Sequence, residues 1–406
     1  MAEALSIFIV HPSALLTDHR PHGDGLAAHS FIAGLADRGH RLHVAVEDVE
    51  LERELGPQVT LHRVESPRRP PPARRVGFAV GVRALFARLQ REVGFDVSHQ
   101  LNPVDAGLSL FLPRSRVPLV LGPYVPLWPP EEIGLRDSRR QRVLGPPVDR
   151  LRSAVAALQQ RRATMLLLST PAARERLHGS GPAAIAELPY GIDVQAFDAP
   201  AAASQGDDGP ILFLARLERW KGLDTLLDAF ELAASELGGR RLAIAGEGSL
   251  AGALQRRVTG SPAGERIDML GRVGREDVPP LLRRSSIYCL PSVREPFGIS
   301  ALEAMACARP VVGTDAGGLR HLVSHEGGRL VPPGDAASLA AALSELSASP
   351  ELRRAMGAHN RRLVRERYSW ERVVERLEAA YRQAIALSRL SRAPSEKRSP
   401  GEAGLL

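Results

Sequence analysis

The sequence predicts an α/β protein made of two doubly wound, Rossmann-like domains that face each other across a cleft. Short, β-rich apolar runs alternate with helical patterns along most of the 406 residues, which is typical of parallel sheets covered by helices. The alternation pauses at residues 191–209, where Gly, Ala, Asp and Pro are frequent and no periodicity remains. At this length the chain is also too long for one ordinary domain.

Residues 1–190 are predicted to form the N-terminal domain. A helix over residues 26–37 is followed by Gly39, a residue type that favours the left-handed conformation found at helix ends. The apolar runs of this domain are continuous, as expected for parallel strands buried on both faces. The predicted strands are residues 6–10, 41–46, 96–101, 118–122 and 164–170.

Residues 191–209 are interpreted as a hinge or linker, and a second series of strands predicts a C-terminal domain over residues 210–368. An amphipathic helix begins at Trp370 and ends near residue 387, within the segment 369–390. Residues 391–406 are polar and contain Pro, Gly and Ser, which predicts a disordered tail. The strands predicted in the second domain are residues 210–216, 241–246, 267–271, 286–292, 309–314 and 328–333.

The chain is strongly basic, with a formal net charge of +7 and a pI of about 10. Arginine supplies nearly all of the basic residues. An arginine-rich composition alone accounts for the charge, and the alternative is an anionic partner: a sugar nucleotide, a phosphorylated acceptor or a membrane surface.

The cysteines and the apolar runs bear on location. Cys289 and Cys307 lie in apolar segments, so buried, reduced thiols in the cytoplasm are expected. No run of about 18 apolar residues occurs, so no membrane span is expected. The first 12 residues lack a basic region before the apolar run, so no signal peptide is expected. Peripheral contact with the cytoplasmic face of a membrane is compatible with these features.

The stretch REPFGISALEAMACARPVVGT, residues 294–314, places Glu295 and Glu303 eight positions apart around a glycine-bearing turn. The preceding strand ends at the carboxyl edge of its sheet, where open α/β sheets bind ligands. A helix begins near Ile299, and its free N–H groups favour an anion such as a diphosphate. Gly298 allows close backbone approach, so Glu303 could reach a ribose and Glu295 a sugar. Alternatively, an isolated pair of this kind is a loop charge and a solvated helical residue.

Further motifs follow in a consistent order. Glu295-Pro296-Phe297-Gly298 with Glu303 in register resembles the E-P-F-G-x-x-x-x-E signature of retaining glycosyltransferases of family 4, which have the GT-B fold. Residues 212–230 resemble the G-R-L-x-x-x-K-G segment of that family, and residues 188–197 resemble its N-G-V-D-x-x-x-F hinge, with Tyr190 in place of Asn. The resemblance is dense over residues 188–381. Residues 244–250, 270–292 and 310–323 also match.

The resemblance implies transfer of a sugar from a UDP- or GDP-sugar to an acceptor hydroxyl, with an α-glycosidic product. The N-terminal domain would bind the acceptor, the C-terminal domain the donor, and the last helix would return to the N-terminal domain. Arg216 and Lys221 would stabilise the leaving diphosphate. The residues expected in catalysis are Arg216, Lys221, Glu295 and His99. Those expected at the donor are Gly23, Gly25, Gly246, Gly248, Arg272, Val273, Phe297, Gly298, Ile299, Ser300 and Glu303.

Two features of the N-terminal domain have more than one interpretation. Gly23 and Gly25 flank Asp24 and resemble the glycine-rich loop that closes over donor phosphates, although Asp24 could instead cap the helix or contact the acceptor. His99 lies near the end of a predicted strand and could contact acceptor or sugar, or could satisfy local backbone groups. Many family members carry Thr-x-His where this chain has Gly122-Pro123-Tyr124, so no role is transferred to Tyr124.

Two arginine-rich stretches, residues 68–94 and 135–155, belong to the acceptor-side domain. The first places Phe78, Val82, Leu85 and Leu89 along one apolar face with arginines around it. This pattern suits docking at an anionic membrane surface, and an amphipathic core helix explains it as well. Nucleic-acid binding is not expected, because no aromatic platform accompanies the charge.

No cofactor is expected besides the nucleotide-sugar cosubstrate. An Asp-x-Asp metal motif is absent from the sequence, so no metal requirement is predicted. Two alternatives to transfer stay open: a non-catalytic GT-B subunit that binds sugar nucleotides for a partner, and a GT-B phosphorylase or epimerase. The sequence does not distinguish a lipid, a polysaccharide and a small metabolite as the acceptor.

Overall fold

The structure is a computed structural model, which describes residues 3–13, 15–20, 23–65, 71–103, 107–113, 115–126, 139–178, 184–198 and 208–390. Within these ranges the chain forms two large parallel sheets, each covered by helices, and one two-stranded pair. The predicted fold class is therefore confirmed. No helix among the described residues is both long and apolar enough to cross a membrane.

The first sheet has seven parallel strands in the order β5-β3-β1-β6-β7-β8-β9. Its strands are β1 (Ser6–Val10), β3 (Arg41–Val46), β5 (Val59–Arg63), β6 (Val97–Leu101), β7 (Leu119–Tyr124), β8 (Met165–Leu168) and β9 (Ala184–Glu187). A separate pair is formed by β2 (Leu16–Thr17) and β4 (Val49–Glu50). The helices of this domain are α1 (Gly23–Asp37), α2 (Pro71–Glu92) and α3 (Arg139–Arg162).

The second sheet has six parallel strands in the order β12-β11-β10-β13-β14-β15. They are β10 (Ile211–Leu214), β11 (Leu242–Ala245), β12 (Ile267–Gly271), β13 (Ile287–Leu290), β14 (Val311–Thr314) and β15 (Gly328–Val331). The remaining helices are α4 (Val194–Phe197), α5 (Leu223–Leu232), α6 (Ala251–Gly260), α7 (Val278–Arg284), α8 (Ile299–Ala306), α9 (Leu319–Leu322), α10 (Ala336–Ala348), α11 (Pro350–Arg367) and α12 (Trp370–Leu390).

Strands with continuous apolar runs lie where the sequence predicts them, because their side chains are buried on both faces of the sheet. Neither β5 nor β9, the two edge strands of the first sheet, was predicted from the sequence. Exposed and half-buried residues alternate in β9, and β5 has no fully buried residue. Neither strand therefore carries the apolar run that marks a central strand.

The segment predicted to be a linker contains regular secondary structure at its start. Ile192 pairs with Ser369, and α4 follows with the Asp193 side chain accepting hydrogen bonds from the first backbone N–H groups of the helix. A Cβ on Gly191 would lie 2.6 Å from the Trp370 ring, so the segments around Gly191 and Trp370, which connect the two domains, pack tightly together. Residues 199–207 of the predicted linker and the predicted tail at 391–406 lie outside the described residues.

The last helix, α12, packs on the first sheet and on α1. Tyr381 donates a hydrogen bond from its hydroxyl to His99 Nδ1 over 2.6 Å, and the Trp370 and Phe31 rings meet edge to face. Val374 occupies the space left by the missing side chain of Gly34. The chain thus begins in one domain, builds the second and ends against the first, which ties the two domains together at the hinge.

Candidate functional site

Lys221 and Glu295 form a buried ion pair at the carboxyl edge of the second sheet. Lys221 ends a short turn after β10, and Glu295 lies in the loop after β13, the strand next to β10. Lys221 Nζ is 2.6 Å from Glu295 Oε2, and each side chain is less than a tenth exposed. Burial lowers the pKa of Lys221, and the adjacent Glu295 carboxylate opposes that change. Both residues were predicted to be catalytic, and the structure brings them together.

Neighbouring groups fix the orientation of Glu295. The Ser292 hydroxyl donates to Glu295 Oε2 over 2.9 Å, and the Thr314 hydroxyl donates to the Ser292 carbonyl. On the backbone, Gly318 donates its N–H to the Glu295 carbonyl over 2.6 Å. Gly317 has φ +55°, and a Cβ there would lie 2.2 Å from that same carbonyl oxygen. Neither Ser292 nor Gly317 was predicted to belong to the site; the adjacent glycines 317 and 318 are a local signal for Gly317, whereas no local pattern marks Ser292.

Trp220 supports both predicted cations. The Lys221 ammonium lies 4.0 Å from the centre of the Trp220 ring, and the Arg216 guanidinium carbon lies 5.6 Å from it. Arg216 is exposed, and no ion pair joins it to a carboxylate in the part of the chain that the structure describes. An indole face attracts cations, so Trp220 holds two positive groups beside each other at this edge. Trp220 was likewise not predicted to belong to the site.

The turn after Glu295 leads into α8. Gly298 has φ +96°, a conformation that glycine adopts without strain, and the helix begins at Ile299. Phe297 is buried between the rings of Tyr190 and Tyr368, so its side chain joins the hinge to the turn. The Ser300 hydroxyl lies 2.7 Å from the Tyr288 hydroxyl. The backbone N–H groups of Ile299 and Ser300, in the first turn of α8, are the groups that can meet an anion.

Glu303 is buried in α8 with its carboxylate unpaired. No hydrogen bond or ion pair from this side chain occurs within the described ranges, and only 9% of the residue is exposed. Burial raises the pKa of Glu303 to about 7, and the charge of Arg275 opposes the rise. A buried carboxylate that is left without a partner in a cleft is a candidate for contact with a ligand.

Gly246 and Gly248 follow β11 and pack against the loop that carries Arg216. A Cβ on Gly246 would lie 1.9 Å from the Ala215 carbonyl oxygen, and one on Gly248 would lie 2.4 Å from that of Leu217. Contacts within the protein therefore require both glycines. Arg272 and Val273 follow the edge strand β12, two strands away from β10. Donor contact by these four residues stays a prediction.

The catalytic contact predicted for His99 is wrong in this structure. His99 is the third residue of β6 and is fully buried, with Nδ1 accepting from Tyr381 and Nε2 donating to the Gly122 carbonyl over 3.0 Å. Burial lowers the pKa of His99 to about 4, so the ring is neutral. The alternative considered for this residue, a histidine that satisfies local polar groups, agrees with these contacts. Tyr124, at the end of β7, is also buried.

Gly23 and Gly25 lie in the first turn of α1, which begins at Gly23 and not at residue 26 as predicted. Ser13 donates its hydroxyl hydrogen to the Asp24 carboxylate over 3.4 Å. Because α1 follows a parallel strand, its first turn lies at the carboxyl edge of the first sheet, which faces the cleft. No contact within the protein tests whether Gly23 and Gly25 bind the donor, so this role stays a prediction.

Together the described residues place two cations, a helix N-terminus and two buried glutamates at one sheet edge. The cations and backbone N–H groups can neutralise a diphosphate, and the glutamates can accept hydrogen bonds from hydroxyl groups. In the ranges that the structure describes, no cluster of three or more His, Cys, Asp or Glu side chains is arranged to hold a metal ion.

Comparisons with known proteins cover nearly the same ranges as the two domains. Residues 195–363 match the family model described as glycosyl transferases group 1, and residues 23–191 match a glycosyl transferase 4-like domain. Phosphatidyl-myo-inositol mannosyltransferase of Mycobacterium leprae is 31% identical over 77% of this chain and 80% of its own length. D-inositol 3-phosphate glycosyltransferase of Saccharomonospora viridis is 34% identical over 53% of each chain.

The chain spans about half the length of several of the curated relatives it matches. Among solved structures, sucrose-phosphate synthase from Thermosynechococcus elongatus is similar with a TM-score of 0.74 and 21% identity. That similarity covers 94% of this chain and 99% of the synthase. At this identity the likeness shows the fold.

Proposed function

The chain belongs to the glycosyl transferases group 1 family, and from this premise we propose that it transfers a sugar from a nucleotide-diphosphate donor to an acceptor hydroxyl. The family resemblance predicted from the sequence is thereby confirmed. The observation that carries the proposal is the buried Lys221–Glu295 pair next to the first turn of α8. Such a site suits a ligand that combines a diphosphate with sugar hydroxyl groups.

In the proposed reaction the bond from the anomeric carbon to the donor phosphate breaks as the acceptor oxygen bonds to the same face. The bonding electrons leave with the nucleoside diphosphate, which gains charge in the transition state. Arg216, Lys221 and the N–H groups at the start of α8 stabilise that charge, so they lower the barrier and do not only bind the donor. Glu303 accepts from ribose hydroxyls, and Glu295 from the sugar.

We propose that the anomeric configuration is retained without a covalent intermediate on the protein. Glu295 is held by Lys221 and Ser292, so it is a poor nucleophile in that state and forms no bond to the anomeric carbon. The acceptor proton goes to the leaving phosphate. We also propose that no metal is required, since the protein supplies two cations for the diphosphate. Unchanged turnover in excess EDTA would agree with this, and loss of turnover restored by a divalent cation would contradict it.

The donor is proposed to be a UDP- or GDP-sugar. A phosphorylated polyol or its lipid-linked form is the acceptor class that we propose, because similar proteins are named as transferring to phosphatidyl-myo-inositol and to inositol 3-phosphate. The basic character of the chain agrees with an anionic acceptor. A cytoplasmic location is part of this proposal.

The direct test is turnover with UDP- and GDP-sugars in the presence of myo-inositol phosphate or phosphatidylinositol vesicles. Release of nucleoside diphosphate together with an α-linked product, identified by NMR of the anomeric proton, is expected for wild type, and Lys221→Ala should abolish it. A β-linked product would overturn retention. Dependence on inorganic phosphate in place of a nucleotide would favour a phosphorylase, and donor binding without turnover would favour a non-catalytic subunit.

A further inference from the structure

A cavity of about 480 Å³ lies beside the start of the hinge and is bordered by parts of both domains. The first domain contributes the residues that follow β8 and the end of β9, at the carboxyl edge of its sheet. The second domain contributes the turn before α8 and the ends of α9 and α11, and α12 borders the remaining side. We call it the hinge cavity, and its walls include Ser169, Thr170, Pro189, Phe297, Tyr368 and Arg376.

The hinge cavity is separate from the proposed donor site. Of the residues assigned to the donor or to catalysis, only Phe297 borders it. β8 and β9 are three and four positions from β1 in the first sheet. At a strand spacing of about 4.8 Å they lie roughly 14–19 Å from β1, the strand beside the switch point where doubly wound sheets bind ligands. A ligand in the cavity therefore does not take the place of the donor.

Arg367 and Arg376 bring two guanidinium groups to the hinge cavity. Burial raises the pKa of the Tyr368 hydroxyl, and the charges of Arg367 and Arg376 oppose that rise, so both cations lie near the same hydroxyl. Both arginines are exposed, and neither forms an ion pair or a side-chain hydrogen bond in the described part of the chain. Two unpaired guanidinium groups at one cavity favour an anion that both can bind, and phosphate suits them because it accepts bidentate hydrogen bonds.

The wall from the first domain supplies polar groups without a positive charge. Ser169 is 3% exposed and Thr170 is 4% exposed, and their hydroxyls have no hydrogen-bond partner among the described residues. Buried hydroxyls normally have a partner, and an orphaned one calls for an explanation such as a bound molecule. Glu187 borders the same cavity without an ion pair in those ranges and can accept hydrogen bonds from hydroxyl groups. This wall suits the hydroxylated part of a ligand whose phosphate meets the arginines.

The hinge cavity shares Phe297 with the turn before α8. The Phe297 ring meets the rings of Tyr190 and Tyr368 edge to face, with centroid distances of 5.3 and 6.4 Å. Leu322, which also borders the cavity, packs against the same turn, because a Cβ on Gly298 would lie 3.5 Å from its Cδ2 atom. A ligand that contacts both domains and this turn binds one arrangement of them better than others, so its binding can be coupled to the donor site.

We propose that the hinge cavity binds a small phosphomonoester that carries hydroxyl groups, such as a sugar phosphate, and that this ligand regulates the donor site. Arg367 and Arg376 bind the phosphate, and Ser169, Thr170 and Glu187 bind the hydroxylated part. The bound ligand stabilises the domain arrangement seen here and the turn before α8. The regulation rests on the proposed function, whereas the binding does not, so the two can fail separately.

The test is calorimetric titration of ribose 5-phosphate, ribose and inorganic phosphate into the full chain without donor. Ribose 5-phosphate should bind wild type, inorganic phosphate should bind more weakly, and ribose should not bind measurably. Arg367→Gln/Arg376→Gln should weaken the binding of ribose 5-phosphate at least about tenfold, because two charge-assisted contacts are lost. His321→Trp fills part of the cavity from an exposed position and should abolish binding.

A matched control removes the same charge from the same two helices. Arg362 on α11 and Arg389 on α12 are exposed and do not border the cavity, so Arg362→Gln/Arg389→Gln should bind ribose 5-phosphate as wild type does. For regulation, saturating ribose 5-phosphate should change the affinity for UDP or GDP by about fivefold or more. The nucleoside diphosphate should change the affinity for ribose 5-phosphate by the same factor.

The proposal is overturned if ribose 5-phosphate does not bind, or if the control loses as much affinity as Arg367→Gln/Arg376→Gln. Binding that Arg216→Gln weakens and the cavity variants do not would place the ligand at the donor site and would also overturn it. Equal affinity with and without a bound nucleoside diphosphate would refute the regulation. If no nucleoside diphosphate binds wild type, the proposed function fails and the regulation with it, while the cavity variants still decide whether the binding site exists.

Discussion

Lys221 Nζ and Glu295 Oε2 are 2.6 Å apart across two loops that are separated by 74 residues in the chain. The two loops follow β10 and β13, which are neighbours in the second sheet. A lysine ammonium with a glutamate on one side and the Trp220 ring on another has a fixed position before any ligand arrives. A charge that is already in place does not have to be reoriented during the reaction, which is the main requirement for electrostatic catalysis.

The pair should show strong coupling in stability. Lys221→Met and Glu295→Gln should each lower the free energy of unfolding by about 3–5 kcal/mol if the remaining partner stays charged and buried. The double variant should cost less than the sum of the two single variants. Denaturant unfolding of the three variants and wild type gives this coupling energy. Additive losses would show that the two side chains do not depend on each other.

Glu303 should make stability depend on pH. Its pKa is raised to about 7 from the ordinary 4.5, so between these values the folded state holds a proton that the unfolded state has released. Wild type should therefore lose stability as the pH rises from about 4.5 to 7. Glu303→Gln removes this loss, so the variant should gain up to about 3 kcal/mol relative to wild type over that range. Unfolding at pH 4.5 and pH 8 measures the difference. A difference that does not change with pH would contradict the raised pKa.

Gly317 should tolerate no side chain, and Gly334 offers a matched control. Both have positive φ, but a Cβ on Gly317 would lie 2.2 Å from the Glu295 carbonyl, whereas nothing lies within 4 Å of one on Gly334. Gly334→Ala should cost about 1–2 kcal/mol, from backbone strain alone. Gly317→Ala should cost more and should also weaken donor binding, because the Glu295 loop has to move. Equal effects in thermal unfolding would show that the contact with Glu295 is unimportant.

Tyr381 should stabilise the attachment of α12 without taking part in donor binding. Tyr381→Phe leaves His99 Nδ1 buried without its donor, so unfolding should become easier by about 1–3 kcal/mol. The dissociation constant for the donor should not change. Unfolding and donor titration on the same variant separate these effects. A weaker donor affinity with unchanged stability would restore a role for His99 in the site.

The central strands were predicted, and Glu295 and Glu303 were singled out, because both features leave local signals in the sequence. Continuous apolar runs mark β1 and β13, and the spacing of Glu295 and Glu303 around a glycine marks the loop and helix. Edge strands such as β9 alternate between exposed and half-buried residues and leave a weaker pattern.

The error at His99 and the omissions at the site concern long-range contacts. His99 is covered by Tyr381, which is 282 residues away, and no local pattern indicates that partner. The pairing of Lys221 with Glu295 likewise depends on strand order, which the sequence pattern does not specify. Trp220 was adjacent to a predicted site residue, but its position beneath two cations follows only from the fold of the turn.

The most direct test of the central claim is titration of UDP and GDP into wild type and Arg216→Gln by calorimetry. Arg216 lies at the proposed diphosphate site without a carboxylate partner in the described ranges, and Arg256, also exposed in the same domain, serves as the control. We predict that one nucleoside diphosphate binds wild type and Arg256→Gln equally well and binds Arg216→Gln at least about tenfold more weakly, a loss of about 1.4 kcal/mol. If neither diphosphate binds wild type, or if Arg216→Gln binds as tightly as wild type does, the assignment of this sheet edge to a sugar-nucleotide donor is wrong.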